Sequence, residues 1–256
     1  MKIAIITGAS SGIGKEFTKQ LPTFNTYDEV WLIARREDRL LELQQELPYK
    51  TKVLSLDLSV DSSYQTLADK LKETNPEVAL LINCSGFGKF CATEAVDLSV
   101  NLNMVDLNCK GVIATCQTVL PYMAKGSKII NIASVAGFQP VPYINVYAAS
   151  KAFVLYYSRG LNREVKKRGI SVTAVCPFWT KTEFFDRAVK KDQDQVVKKY
   201  VAMYYPHQIV KRAFRDVKRG KDVSKFGFIA RAQAGLAKIL PHSLVMNVWQ
   251  SQQKLK

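Results

Sequence analysis

Lys2-Ile-Ala-Ile-Ile-Thr-Gly-Ala-Ser-Ser-Gly-Ile-Gly14 is the stretch on which the fold turns. Lys2 to Ile6 reads as a buried strand, Thr7 to Gly14 as a turn rich in glycine, and the residues to about Leu21 as a helix. The missing side chains at Gly8, Gly12 and Gly14 permit a tight turn and the close approach of a phosphate to backbone amides. Their spacing is Gly-x-x-x-Gly-x-Gly rather than Gly-x-Gly-x-x-Gly, and three glycines alone fit a purely conformational role equally well. Their place between a first strand and a first helix favours nucleotide binding.

The same rhythm continues outward. Val30-Trp-Leu-Ile-Ala34 is a second apolar run, followed by Asp38 to Leu47 with leucines at helical spacing. Further strands are expected at Lys52 to Leu56, Val78 to Ile82, Lys128 to Ile132 and Ser171 to Val175, with helical stretches around 61–74, 98–124 and 145–168. Strands that alternate with helices predict an α/β fold: a doubly wound parallel sheet in a three-layer α/β/α arrangement. No linker or repeat divides it, so residues 1–256 are read as a single domain. After Pro177 the strand rhythm fades, and helices are expected near 183–203 and 207–219.

Composition narrows the function classes. With 47% hydrophobic and 23% charged residues, the chain is an ordinary globule that can build one large core. It lacks the roughly 18 consecutive apolar residues of a spanning helix and an apolar leader, so the cytoplasm is the default compartment. The five cysteines (Cys84, Cys91, Cys109, Cys116 and Cys176) form no Cys-x-x-Cys pair, and His207 and His242 are the only histidines. Disulfide scaffolding and a structural metal are therefore not expected, and a Ser-His-Asp hydrolase is disfavoured, with no Gly-x-Ser-x-Gly elbow. The net charge of +15 attracts something anionic, but much of it lies late, at Lys190-Lys191, Lys198-Lys199, Lys211-Arg212, Lys218-Arg219 and Lys254-Leu-Lys256. A solvated basic surface explains it, and no nucleic-acid reading module is present.

Two residue pairs carry chemistry. At the end of the second strand, where a fold that holds the adenosine ribose hydroxyls commonly places an acid, this chain places Arg35 and Arg36. Paired guanidinium donors suit a phosphate and favour NADP(H) over NAD(H); a solvated pair at a helix start is the alternative. Farther on, Tyr147 and Lys151 stand four apart in Val146-Tyr-Ala-Ala-Ser-Lys-Ala152, on one helix face. A nearby ammonium favours phenolate, which predicts a tyrosine pKa lowered toward useful proton transfer.

Together these pieces resemble the classical short-chain dehydrogenase/reductase family over about residues 2–182. In such enzymes Thr7 to Gly14 looks like the cofactor loop, Asp57 in Leu56-Asp-Leu58 like the adenine contact, and Asn83-Cys-Ser-Gly86 like the Asn-Asn-Ala-Gly element. Asn108, Ser134, Tyr147 and Lys151 match the catalytic tetrad. The resemblance implies a Rossmann-like fold. It also implies cofactor contacts from Gly8, Ser10, Ser11, Gly12, Ile13, Gly14, Arg35, Arg36, Asp57, Asn83, Ser85, Gly86, Tyr147, Lys151, Pro177 and Thr182. Reduction of a carbonyl with NADPH, or oxidation of a secondary alcohol in reverse, is the implied activity. Ser134 would bind the oxygen and Tyr147 would exchange its proton. Lys151 would hold the nicotinamide ribose and depress the Tyr147 pKa, and Asn108 would support a water-linked proton path. In Cys176-Pro-Phe-Trp-Thr-Lys-Thr182, Phe178 replaces the family's usual glycine.

A substrate lid is expected over about 183–224, with Phe184, Phe185, Tyr200, Met203, Tyr204 and Tyr205 as an aromatic wall for a hydroxysteroid-like or 3-oxoacyl-like substrate. Core packing accounts for the same aromatics. Residues 225–256 extend beyond the family's usual end; their apolar and basic mixture suits either a packed helix or peripheral contact with an acidic membrane. The resemblance further implies a homodimer or homotetramer. A non-enzymatic NADP(H)-binding regulator of the same fold is the competing reading.

Overall fold

The computed structural model describes residues 1–189 and 196–255. Ile3, Ala4, Ile5 and Ile6 are all fully buried, which requires cover on both faces of the strand they form, β1 (Lys2–Thr7). β2 (Glu29–Ala34) is buried along its whole length as well. Among the described residues, β3 (Thr51–Ser55), β4 (Glu77–Asn83), β5 (Lys128–Ile132), β6 (Ser171–Val175) and β7 (Val223–Ser224) complete a parallel sheet in the order β3-β2-β1-β4-β5-β6-β7. The order reverses between β1 and β4, and doubly wound sheets hold ligands in the crevice this reversal opens at the carboxyl ends of the strands.

Alternation along β1 feeds two cores. Ile3 and Ile5 join Trp31 and Ile33 beneath α3 (Asp61–Thr74), α5 (Gly111–Val119) and α6 (Asn145–Glu164), which contribute Leu67, Cys116 and Val154. Ala4 and Ile6 join Leu32 beneath α1 (Gly12–Gln20), α2 (Glu37–Glu46) and α8 (Pro206–Lys218), which contribute Phe17, Leu40 and Phe214. The α/β/α layering read from the sequence is thus present. A third cluster, with Phe90, Ile144, Ala148 and Trp249, ties the start of α6 to α10 (His242–Gln253) near the chain's end.

Some expectations are corrected. The helix expected over 98–124 is α4 (Leu98–Val105) running into α5 through a π-helical turn at Asp106–Lys110, and it tightens at Leu120–Tyr122, where Pro121 cannot continue α-helical bonding. The helix expected over 183–203 is confined to α7 (Phe184–Ala188) among the described residues. Residues 196–205 are not helical because their backbone bonds outward: Tyr204 N–H donates to the Trp179 carbonyl at 2.8 Å, Lys181 N–H to the Tyr204 carbonyl at 2.9 Å, and the Lys198 and Lys199 amides to Gln253. β7 escaped notice because two residues carry no period. Lys190-Lys191 and Lys256, counted in the late basic excess, lie outside the described residues.

Two glycines show opposite packing. A Cβ on Gly14 would fall on the Gly8 carbonyl oxygen, whereas one on Gly160, inside α6, would meet nothing within 4 Å. Gly160→Ala is expected to stabilise the protein by roughly 0.5–1 kcal/mol through lost unfolded-state freedom, raising the melting temperature by about 1–4 °C. Gly14→Ala should lower it by about 6 °C or more, the consequence of a backbone clash costing at least about 3 kcal/mol. Thermal unfolding by circular dichroism of both variants checks the pair.

Candidate active site

The turn after β1 is held by backbone contact. Gly8 has φ of +67° and Gly12 +54°, and a Cβ on Gly8 would lie 2.8 Å from the Cys84 carbonyl carbon and the Ser85 amide nitrogen. Thr7 makes that approach permanent, because its buried hydroxyl accepts from the Cys84 amide at 3.0 Å and the Ser85 amide at 3.2 Å. The ends of β1 and β4 are thereby locked side by side. Ser11, which precedes α1, makes no side-chain cap, so the first amides of the helix keep their donors for an anionic ligand.

A cavity of about 770 Å³ runs from this turn to the C-terminal helices. Gly8, Ser10, Ser11, Gly12, Ile13, Arg35, Arg36, Asp57, Ser85, Gly86, Ser134, Tyr147, Lys151, Pro177 and Thr182 all line it. Asn83, Gly14 and Asn108 do not. Gly14 sits behind Gly8. Asn83, only 3% exposed, turns its amide into a buried network instead: it donates to Asn131 Oδ1 at 2.9 Å and Cys116 Sγ at 3.3 Å and accepts from Thr115 at 2.8 Å. Its side-chain amide is therefore satisfied beneath the strand ends and does not point into the cavity.

Asn108 is fully buried in the π-helical turn and similarly engaged. It donates to the Phe87 carbonyl at 2.9 Å and Ser150 Oγ at 3.0 Å and accepts from the Phe87 amide at 3.1 Å. A Cβ on Gly86 would lie 2.9 Å from Asn108 Oδ1 and 3.4 Å from Lys151 Nζ, so Asn108 and Lys151 flank that glycine from behind.

Ser134 and Tyr147 face the cavity. The Ser134 oxygen accepts from the Ala136 amide at 3.1 Å, which fixes its rotamer. Lys151 donates to the Ile132 carbonyl at 2.8 Å, its nitrogen 5.8 Å from the centre of the Tyr147 ring. Burial pushes the Lys151 pKa down to about 8. Burial likewise pushes Tyr147 up to about 12, the hydrogen bond from Ser134 acting weakly in the other direction. The expected depression of Tyr147 by Lys151 is absent: desolvation outweighs a charge set beside the ring rather than against its oxygen.

At the far end, Asp57 accepts from the Ser59 amide and hydroxyl and stands 3.6 Å from Arg35. Burial raises its pKa, but those bonds and Arg35 hold the carboxyl below its ordinary value. Arg36 reaches Ser10 Oγ at 3.3 Å. Sequence reasoning passed over Arg187, whose guanidinium lies 3.4 Å from the centre of the Phe87 ring on the cavity wall, and Arg39, which joins Arg36 on Glu183. Arg39 was detectable, being three residues beyond Arg36 on one helix; Arg187 had no local signal.

The model of the family described as short chain dehydrogenase matches residues 2–193. The chain belongs to the short-chain dehydrogenase family. It is similar to sulfoacetaldehyde reductase 2 of Chromohalobacter salexigens, 36% identical over 191 residues that cover 71% of this chain and 74% of that one. It is also similar to a very-long-chain 3-oxoacyl-CoA reductase of Danio rerio, 34% identical over 71% of this chain but 60% of the fish enzyme. Among solved structures, a short-chain dehydrogenase from Sphingobium yanoikuyae in complex with NADPH superposes with a TM-score of 0.76 at 27% identity, covering 95% of this chain and 98% of that one. These relatives make this short-chain dehydrogenase an oxidoreductase of a family that uses nicotinamide cofactors.

The aromatic wall of this short-chain dehydrogenase differs in part from expectation. Phe184 and Phe185 line the cavity, and Phe184 stacks obliquely on Tyr147 with ring centres 5.4 Å apart. Tyr200 stands behind, edge-on to Trp179 at 5.3 Å, while Tyr204 packs away against Phe226 and Tyr205 is exposed. Phe178, in place of the usual glycine, lines the cavity and meets Trp179 edge-on at 6.0 Å. Trp179, within the Cys176–Thr182 segment, and Trp249, which no motif announced, both line the cavity and stack on each other at 6.4 Å.

The Lys151 shift has a checkable sign. Below pH 8 the folded state carries a buried ammonium that the unfolded chain keeps in water; between about 8 and the ordinary value of 10.5 the folded state sheds the proton first. Stability of the wild type relative to Lys151→Met should therefore rise with pH across that window, by up to about 1.4 kcal/mol per pH unit. Urea unfolding at pH 7.0, 8.5 and 9.5 measures it, and a difference that stays constant contradicts the shift.

Proposed function

We propose that this protein interconverts a carbonyl and a secondary alcohol on a hydrophobic substrate with NADP(H). The observation that carries the reading is the convergence of Ser134, Tyr147 and Lys151 at the middle of one cavity, between the glycine turn and an apolar wall. A dinucleotide fits the other half: the Gly8 approach leaves no room for side chains, α1 offers free amides, and Arg36 and Ser10 offer donors for a 2′-phosphate. Bound there, the nicotinamide supplies or accepts the hydride.

The chain's own groups handle the oxygen and its proton. Tyr147, held protonated by burial, is in the state a general acid needs, and Ser134 can donate to the same oxygen from its fixed rotamer. Lys151, poised near pH 8, responds to its surroundings, and ribose hydroxyls in front of it would fix its place beside Tyr147. Asn108 has no side-chain valence left, so we assign it the positioning of Gly86 and of Lys151 through Ser150. Phe90, Trp179 and Phe184 favour an apolar group at the reacting carbon. Hydroxysteroid-like and 3-oxoacyl-like substrates both meet that requirement.

We read residues 1–182 as the core of a single domain, about 183–224 as its lid and about 225–256 as an extension that closes the cavity. α9 (Phe228–Leu236) and α10 line the cavity with Leu236, Leu244 and Val248, while Phe228 at the cavity's edge is 78% exposed and Ile239, between the two helices, 82%. No aspartate or glutamate follows Asp222. An apolar rim in a purely basic segment suits peripheral contact with anionic lipid. Among the described residues no helix is long and apolar enough to cross a membrane.

NADPH oxidation across a panel of aldehydes, ketosteroids and 3-oxoacyl thioesters should show turnover on apolar ketones. Tyr147→Phe should lower it at least about 100-fold, the scale of a lost general acid, with NADPH affinity kept. Binding without turnover on any substrate would instead favour the regulator. In flotation with vesicles, the wild type should rise with phosphatidylglycerol and not with phosphatidylcholine alone, and Phe228→Asp with Ile239→Asp should abolish the association.

A further inference from the structure

Two arginines suited to a phosphate already hold a carboxylate. Glu183, immediately before α7, places Oε2 3.2 Å from an Arg36 amino group and 2.6 Å from one of Arg39. These partners lie 147 and 144 residues away in sequence, so the contact joins the start of the lid to the start of α2. Arg36 simultaneously reaches Ser10 in the glycine turn. Ser10, Lys15, Asp38, Arg39, Glu42 and Glu183 line a recess beside the main cavity, and Arg36 stands at its edge. Lys15 is paired with Glu46, so two cations, Arg36 and Arg39, meet at Glu183, and the anion that faces them is supplied by the protein itself. Although partial burial raises its pKa, the bonds from Arg39 and Arg36 hold the Glu183 carboxyl below its ordinary value, so it is charged throughout the neutral range.

We propose that Glu183 is a specificity-determining residue that imitates the 2′-phosphate of NADP(H): it occupies Arg36 and Arg39 and must leave them before that phosphate binds. The inference rests on the phosphate role proposed above for Arg36. Its consequence is selective. A cofactor with a free ribose 2′-hydroxyl has no need of both guanidinium groups, so the competition lowers affinity for NADP(H) and leaves NAD(H) unaffected. Displacement also has a mechanical reach: Glu183 adjoins Thr182, whose side chain lies against Gly12, and Phe184, which leans on Tyr147. The charge that must give way to the phosphate is thus one residue away from the ring that leans on Tyr147.

Isothermal titration of NADPH, NADH, adenosine 2′,5′-bisphosphate and adenosine 5′-monophosphate into the wild type, Glu183→Gln and Arg36→Ala/Arg39→Ala tests this. Glu183 is half exposed, so Glu183→Gln should keep the wild-type melting temperature. Freed of two exposed ion pairs, it should bind NADPH and the bisphosphate about two- to tenfold more tightly, with NADH and the monophosphate unchanged. Equal tightening of NADH overturns the proposal, because Glu183 would then act on the lid and not on the phosphate. Unchanged NADPH affinity in Glu183→Gln, with affinity lost in the arginine variant, overturns the competition alone. NADPH affinity insensitive to the arginine variant removes the phosphate site and the competition with it.

Discussion

Everything in this molecule is arranged around the contact between the turn after β1 and the end of β4. Gly8 lies so close to the Cys84–Ser85 peptide that no side chain fits between them, and the Thr7 hydroxyl ties the amides of Cys84 and Ser85 to β1. The contact fixes three things together: the conformation of the glycine turn, the direction of α1, and the path of residues 84–87. That path carries the rest of the site, since Gly86 lies against Lys151 and Asn108 clasps both polar groups of Phe87. A change at Gly8 would therefore disturb the glycine turn and the tyrosine-lysine pair through one backbone segment.

Burial sets the protonation states at the middle of the cavity. Among the described residues Lys151 is paired with no carboxylate: it donates to the Ile132 carbonyl, and the ionisable groups acting on it are Cys84, Cys109 and Cys176, whose own thiols burial keeps neutral. The cysteines thus give Lys151 no counter-charge and no reactive neighbour. Its lowered pKa and the raised pKa of Tyr147 have the same origin, a dry wall. A ligand that brings hydroxyls or phosphate charge to that wall stabilises the ammonium, which makes the pair responsive to occupancy of the other half of the cavity.

How much of this was legible in the sequence follows from the range of each interaction. The strand–turn–helix opening, the sheet alternation and the residues Ser134, Tyr147 and Lys151 depend on local pattern, and the structure brings those three side chains together. Arg187 against Phe87, Glu183 on Arg36 and Arg39, and Trp249 on Trp179 depend on contacts across the fold, for which no local period exists. Residue type and motif say nothing about which way the Asn83 amide turns, and Thr115, Cys116 and Asn131 hold it below the strand ends. The direction of the Tyr147 shift misled for a related reason: spacing reports a neighbour's charge and is blind to desolvation.

The C-terminal extension acts on the site through a strained connection. Tyr143 adopts φ of +67°, a left-handed conformation that a bulky side chain enters only when its surroundings hold it there. What holds the neighbouring residues is visible. Trp249 of α10 donates to the Pro142 carbonyl at 3.0 Å, and Val141 and Ile144 are buried in the cluster that contains Trp249, Phe90 and Ala148. α6 begins two residues after Tyr143, and Tyr147 lies in its first turn. α10 thus braces the segment from which Tyr147 projects, while Leu244 and Val248 of α10 line the cavity in front of it. The outline of the cavity and the placement of Tyr147 are consequently set by one helix, so variation in α10 would alter both together.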